Sequence, residues 1–203
     1  MTVKSLTGWQ LILGPLGIFV TWMLVAPLLG LDGEGAEGLQ QAIDNPLGYN
    51  LVGGLSALSM VAMLVGSAML ARSIYGGGGP GAAYAGVALF LFPAILAVNM
   101  SQMGLNVGAV AVASAESATL NLISDQITAA MPMFWGLAFI TLGAGLTLEK
   151  KLLDGRAGWL VLLLGLVMVS GMFWDNDAAG NIMWLLFTLV QVGLGVLVLR
   201  SDE

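Results

Sequence analysis

The chain alternates between long uncharged apolar runs and short polar connections, and this pattern predicts membrane-spanning helices. A bilayer core of about 30 Å needs about 20 consecutive apolar helical residues to cross it. Spanning strands are excluded, because a barrel would show alternating segments of about ten residues. The sequence therefore predicts one transmembrane domain over residues 1–203, an all-α polytopic integral membrane protein. Its six-helix bundle has spans at about 9–30, 51–71, 82–103, 131–148, 157–174 and 178–199.

Composition excludes most soluble functions. The chain is 58% hydrophobic and 9% charged, whereas a soluble domain carries about 25% charged residues. Its surface could not be covered by polar side chains, which argues against a soluble enzyme or a nucleic-acid-binding protein. Histidine and cysteine are absent, so zinc sites, thiolate nucleophiles, disulfides and Ser-His-Asp triads are excluded within this chain.

The charged residues predict the orientation. With six spans, every basic residue falls on one face of the membrane: Lys4, Arg72, Lys150, Lys151, Arg156 and Arg200. The loops on the other face hold eight carboxylates and no base: Asp32, Glu34, Glu37, Asp44, Glu116, Asp125, Asp175 and Asp177. Cytoplasmic loops carry an excess of lysine and arginine. We therefore expect both termini in the cytoplasm, with the protein in an inner or plasma membrane.

Residues 82–130 are the least regular part of the pattern. From Ala82 to Ala115 the chain has no charge, which is too long for one span and too short for two with a turn. One interpretation ends the third span near residue 103 and continues as an extracytoplasmic helical excursion. The other is a re-entrant segment over 104–114, which requires protein or a water-filled cavity around its backbone. The helical excursion is favoured, and both remain open.

Tryptophans and glycines predict how the helices pack. Trp159 and Trp135 are expected near the two membrane interfaces, where amphipathic rings concentrate, while Trp22 and Trp184 are expected deeper, packed between helices. The 29 glycines, many within spans, predict close helix contacts. Small residues four apart, such as the pair Gly104 and Gly108, are typical of such contacts.

Polar side chains inside the spans are few. No Asp, Glu, Lys or Arg falls in the middle of a predicted span, which argues against proton- or sodium-coupled transport. Gln191 is the one long amide well inside a span, and an interhelical hydrogen bond is favoured over a substrate contact there. Asn99, Gln102 and Asn106 follow one another where the third span ends. These three side chains, with Gln191, form a possible polar pathway.

The acidic loops are weak candidates for a hard cation such as calcium. The four carboxylates considered are Asp32, Glu34, Asp175 and Asp177. Part of an EF-hand loop is present over residues 175–180, but Ala179 and Leu186 occupy positions that must supply ligands. A solvated acidic face is therefore favoured, and neither a metal nor a cofactor is predicted.

Methionines near the acidic face raise the alternative of soft-metal binding. Those considered as Cu(I) ligands are Met100, Met103, Met131 and Met133. Methionine is also a common apolar filler of irregular cores. Because neither histidine nor cysteine is present to complete a site, packing is the favoured interpretation.

Three functions are compatible with these patterns. The first is a non-catalytic accessory or scaffold subunit, whose partners are the lipid bilayer and other membrane-embedded subunits or further copies of itself. The alternative is a channel or facilitator for a small solute or cation, with an acidic extracytoplasmic vestibule that concentrates cations. An intramembrane enzyme using Glu116 and Asp125 is least favoured, since residues nine apart do not share a helix face.

Overall fold

The computed structural model of the protein describes residues 2–33, 35–112, 115–173 and 177–201, and within these ranges it contains helices and no strands. The helices are α1 (Val3–Leu28), α2 (Gly35–Asp44), α3 (Pro46–Tyr75), α4 (Ala82–Val112), α5 (Ala115–Leu148), α6 (Arg156–Ser170) and α7 (Asp177–Arg200). All except α2 belong to segments long and apolar enough to cross a membrane. The predicted all-helical class and the six long apolar helices are therefore confirmed.

Several helices extend beyond the apolar runs that predicted them. Helix α3 begins at Pro46, ahead of the predicted span, because Asn45 caps it by accepting a hydrogen bond from the Gly48 N–H at 3.0 Å. Proline fits the first position of a helix, where its missing N–H has no helical partner to lose. The length of an apolar run indicates only how much of a helix can lie in the hydrocarbon core. The helix itself ends where local capping ends it.

Residues 104–112 continue α4, and residues 115–130 belong to α5. The two helices run antiparallel, and the Ser117 hydroxyl donates to the Ala109 carbonyl at 2.8 Å. At 1.5 Å per residue they are about 46 and 51 Å long, more than a hydrocarbon core of about 30 Å. The described residues form a helical hairpin extension of α4 and α5; residues 113 and 114, which belong to the segment considered as re-entrant, lie outside the described part. The extracytoplasmic location of this extension stays a prediction.

Neighbouring long helices are antiparallel, and close contacts follow the order α7, α1, α3, α4, α5, α6. Glycines allow some facing helices to approach very closely. A Cβ added to Gly143 on α5 would lie 2.6 Å from the carbonyl oxygen of Gly158 on α6, and one added to Gly195 on α7 would lie 2.6 Å from that of Gly8 on α1. At these points the two backbones touch directly, as small residues permit.

All six basic residues lie at one end of the bundle, which we call the basic end. Three hydrogen bonds connect chain segments at this end. The Lys4 ammonium donates to the Ser201 carbonyl, and the Lys151 ammonium donates to the Ser73 carbonyl at 3.5 Å. The Gly81 N–H donates to the Glu149 carboxylate at 2.7 Å. The opposite, acidic end carries α2 and the tip of the α4–α5 hairpin. Which compartment each end faces stays a prediction.

A cluster of aromatic rings fills the middle of the core. Its members are Phe92, Trp135, Phe139, Trp184 and Phe187, with neighbouring centroids 5.4–6.4 Å apart. Trp135 is only 3% exposed, because its helix face points toward Trp184 and Phe187 of α7. Its predicted depth near a membrane interface stays a prediction.

Candidate functional site

Three adjoining cavities extend from the acidic end to the middle of the bundle. The vestibule, of about 270 Å³, lies between α2 and the walls formed by Tyr49, Asn106 and Asp125. A connecting cavity of about 160 Å³ shares Tyr49 and Asn106 with the vestibule, and Asn99 with the next cavity. The third, the central cavity, has a volume of about 430 Å³. This size falls in the range of small-molecule sites.

All six long helices contribute to the central cavity. Its lining residues are Ile18, Phe19, Trp22, Met23, Met60, Asn99, Gln102, Thr128, Met131, Pro132, Trp135, Met168, Met183, Trp184 and Thr188. Five of them are methionines, three are tryptophans and none is charged. The walls are therefore apolar and polarisable, with a few amide and hydroxyl groups, which is the usual make-up of a small-molecule site.

Two walls of the central cavity lie at prolines that remove a helical hydrogen bond. In α1, residues Thr21–Val25 form a π-helical turn in which the Ala26 N–H donates to the Thr21 carbonyl. The cause is Pro27, which has no N–H to offer the Met23 carbonyl. In α5, Pro132 in the same way deprives the Thr128 carbonyl of its helical donor. Single π-helical turns such as the one in α1 are frequent at functional sites.

The amides and hydroxyls that line the central cavity come from α4 and α5, together with the Thr188 hydroxyl on α7. The Gln102 amide donates to the Thr128 hydroxyl, and that hydroxyl donates to the Ser124 carbonyl at 3.0 Å. The Asn99 amide donates to the carbonyl of Ile95 at 2.9 Å. In these bonds Asn99 and Gln102 use their amide N–H groups as donors. Their amide oxygens can therefore accept hydrogen bonds from other donors. The connecting cavity adds the Asn106 Oδ1, which is buried and has no hydrogen-bond partner among the described residues.

The structure brings three of the four predicted pathway residues together. Asn99, Gln102 and Asn106 line adjoining cavities along one side of α4. Gln191 does not join them: it is 0% exposed, and its amide donates to the Ser67 hydroxyl on α3 at 3.3 Å. The sequence offered one weak signal for the missed cavity walls, prolines within apolar helices; Pro27 and Pro132 lie at this site, whereas Pro15 and Pro93 do not line the cavity.

The three tryptophans that border the central cavity differ in exposure. Trp22, predicted to pack between helices, is 46% exposed. Trp184, with the same prediction, is 39% exposed and contacts the ring of Trp135 on α5. Because apolar residues cover all sides of these helices, hydrophobic periodicity does not indicate which face turns inward.

The candidate metal ligands do not form a centre in the part of the chain that the structure describes. Asp32 is exposed, while Glu34, Asp175 and the side chain of Asp177 lie outside the described residues. Within the described ranges no three His, Cys, Asp or Glu side chains are grouped to hold a metal ion. Of the methionines considered, Met100 and Met103 line the connecting cavity, Met131 lines the central cavity, and Met133 is exposed.

Substitution of Gln191 tests whether its amide is a structural bond. Gln191→Leu is expected to leave the free energy of unfolding within about 1 kcal/mol of the wild type, because it removes a weak interhelical bond together with a carbonyl oxygen that has no partner among the described residues. Gln191→Glu is expected to cost about 2.5–3.5 kcal/mol through a charge at mid-span. Titration with SDS, followed by circular dichroism, measures both. Equal losses in the two variants would contradict this assignment.

The cavities have to be interpreted from their own geometry and chemistry. Comparison with known protein families, with characterised proteins and with solved structures finds no match for this chain. The feature that bears most directly on function is therefore the central cavity, which is uncharged, reaches mid-bundle and adjoins the acidic end through the two smaller cavities.

Proposed function

We propose that the chain is a non-catalytic integral membrane protein that binds a small solute in the central cavity and facilitates its passage across the bilayer. The observation that carries this proposal is the lining of one cavity by all six long helices, including the amides of Asn99 and Gln102. An apolar cavity with a few converging polar groups, between helices of a bundle, is the usual form of a small-molecule site.

The charge distribution favours an uncoupled facilitator. None of the described residues that line the central cavity is ionisable, and coupled transporters use intramembrane ionisable groups. Asp125 lies at the vestibule, where its carboxylate accepts a hydrogen bond from the Asn121 amide at 3.2 Å. Carboxylates beside a cavity raise the local concentration of cations and disfavour anions.

Passage requires a second arrangement of the bundle. Trp135 lines the central cavity, whereas Phe139 and Phe187, whose rings contact it, are almost fully buried and do not line the cavity. Pro27 and Pro132 each remove one helical hydrogen bond, and α1 is interrupted there by its π-helical turn whereas α5 stays continuous. Transporters commonly build their sites from discontinuous helices near the bilayer midplane and alternate access around them.

Flux into proteoliposomes tests this proposal. Stopped-flow light scattering with glycerol, urea and choline is expected to show faster entry of at least one solute than in protein-free liposomes. Gln102→Ala and Asn99→Ala are expected to slow this entry about fivefold, as the loss of one polar contact would. Ser101→Ala is the matched control, since Ser101 is exposed, bonds to the Ala97 carbonyl and does not line the cavity.

Two results would contradict the proposal in different ways. If no solute of the panel entered faster than in protein-free liposomes, the facilitator function would be wrong. If entry were fast but Gln102→Ala and Asn99→Ala behaved like Ser101→Ala, the pathway through the central cavity would be wrong.

An accessory or scaffold role stays a second prediction. The exposed side of the bundle is apolar, with Leu58 and Phe90 among its most exposed side chains, but any bundle in lipid has such a surface and it identifies no partner. Purification under gentle conditions tests the prediction. A lone monomer without co-purifying subunits would contradict it.

A further inference from the structure

Three tryptophans from three helices converge on the central cavity. Trp22 comes from α1, Trp135 from α5 and Trp184 from α7, and the rings of Trp135 and Trp184 lie 6.4 Å apart at 74°. The face of an indole ring carries partial negative charge and attracts cations, more strongly than tyrosine or phenylalanine does. Sites that recognise quaternary ammonium groups use aromatic side chains in this way.

The remaining walls suit an organic cation better than a metal ion. Five methionines line the cavity, and their thioethers are polarisable and adapt to the shape of a ligand. The volume of about 430 Å³ is that of a small-molecule site, far more than one ion fills. Hard cations such as calcium require six to eight oxygen ligands, whereas the lining offers a few amide and hydroxyl oxygens.

The surroundings of the cavity favour a positive charge. The basic residues lie at the opposite end of the bundle, and none of them lines any of the three cavities. The route from the acidic end passes Asp125 in the vestibule and then the buried Asn106 Oδ1, an acceptor with no partner among the described residues. A cation entering this way passes oxygen acceptors and reaches a cavity lined by three tryptophans.

From these contacts we propose that the central cavity binds an organic ammonium ion of about the size of choline. The charge is held by the indole rings of Trp22 and Trp184, beside the almost buried Trp135, and the alkyl groups contact the methionines. A quaternary ammonium ion fits the absence of charged residues among the described lining residues, because its charge is shielded by alkyl groups and needs no carboxylate partner. The inference rests on the proposed function, since it names the substrate class of the same cavity.

Isothermal titration calorimetry with the purified protein tests the charge requirement. Choline is expected to bind saturably, and 3,3-dimethylbutan-1-ol, which has the same shape without the charge, is expected to bind at least about tenfold more weakly, because only choline is attracted to the ring faces. Equal affinities for the two compounds, or no binding of choline, would overturn the proposal. Saturable binding of Ag(I) without binding of choline would assign the methionines to a soft metal and also overturn it.

Matched tryptophan variants test the location. Trp22→Leu and Trp184→Leu are each expected to weaken choline binding about fivefold to tenfold, with Trp184→Phe intermediate. Trp159→Leu is the control, because Trp159 is 56% exposed at the basic end, and it is expected to change nothing. Trp22 takes part in none of the ring contacts of the aromatic cluster, so its variant remains informative if Trp184→Leu fails to fold. Equal losses of choline affinity in Trp22→Leu and Trp159→Leu would contradict the proposed site.

The flux and binding results separate this inference from the proposed function. If glycerol or urea enters through a pathway sensitive to Gln102→Ala while choline does not bind, the facilitator function stands and the ammonium site is wrong. If choline binds with the expected tryptophan dependence while no solute crosses, the ammonium site stands and the facilitator function is wrong.

Discussion

Replacing Gly143 by alanine is expected to lower the free energy of unfolding by about 1–3 kcal/mol or more, as overpacking does. The added Cβ would lie 2.6 Å from the carbonyl oxygen of Gly158 and would also collide with the backbone of Leu162. Both obstacles are backbone atoms, so no rotamer change can relieve them. The helices α5 and α6 would have to separate, and the contacts of their whole interface would weaken.

The matched control is Gly193→Ala on α7. A Cβ at Gly193 meets nothing within 4 Å, so the unfolding free energy is expected to stay unchanged or rise slightly through the better helix propensity of alanine. SDS titration of both variants, followed by circular dichroism, makes the comparison. If Gly143→Ala were as stable as Gly193→Ala, the direct backbone contact between α5 and α6 would be wrong.

Trp135→Ala is expected to cost about 3–5 kcal/mol, the usual range for removing a large buried aromatic side chain. The ring of Trp135 stacks on Phe139 with centroids 6.1 Å apart and meets the edges or faces of Trp184 and Phe187 at 6.4 and 5.5 Å. Its loss would leave a void joined to the central cavity. Trp135→Phe, which keeps an aromatic ring, is expected to lose less.

Trp159→Ala is the control for Trp135→Ala. Trp159 is 56% exposed, so its removal is expected to change the unfolding free energy by less than about 1 kcal/mol in detergent. The same SDS titration measures both variants. Comparable losses in Trp135→Ala and Trp159→Ala would contradict the aromatic cluster as the centre of the core.

The sequence was sufficient for the class of fold and insufficient for its contacts. Long uncharged runs predict helices because a bilayer leaves few alternatives, and the six long apolar helices follow from that. The contact between Gly143 and Gly158 depends on the register of two antiparallel helices, which the pattern does not encode. Gly104, which belongs to a predicted small-residue pair, has nothing within 4 Å of an added Cβ.

Only those features of the candidate site that depend on the spacing of residues within one helix could be predicted from the sequence. Asn99, Gln102 and Asn106 are spaced three and four residues apart, so any helix brings them to one side, and they border adjoining cavities. The tryptophan walls depend on the rotation of α1, α5 and α7. Helices that are apolar all round carry no strong signal for rotation, which is why the exposure of Trp22 and the burial of Trp135 could not be predicted.

Single-cysteine labelling in intact cells tests the central claim, that the cavity is reached from the acidic end and that this end faces outward. The chain has no native cysteine, so a membrane-impermeant maleimide reports one introduced position at a time. Asp125→Cys marks the acidic end and Arg72→Cys the basic end. We expect Gln102→Cys to react from outside together with Asp125→Cys, and Arg72→Cys to react only after permeabilisation. Labelling of Gln102→Cys and Arg72→Cys from the same side, with Asp125→Cys protected, would contradict it.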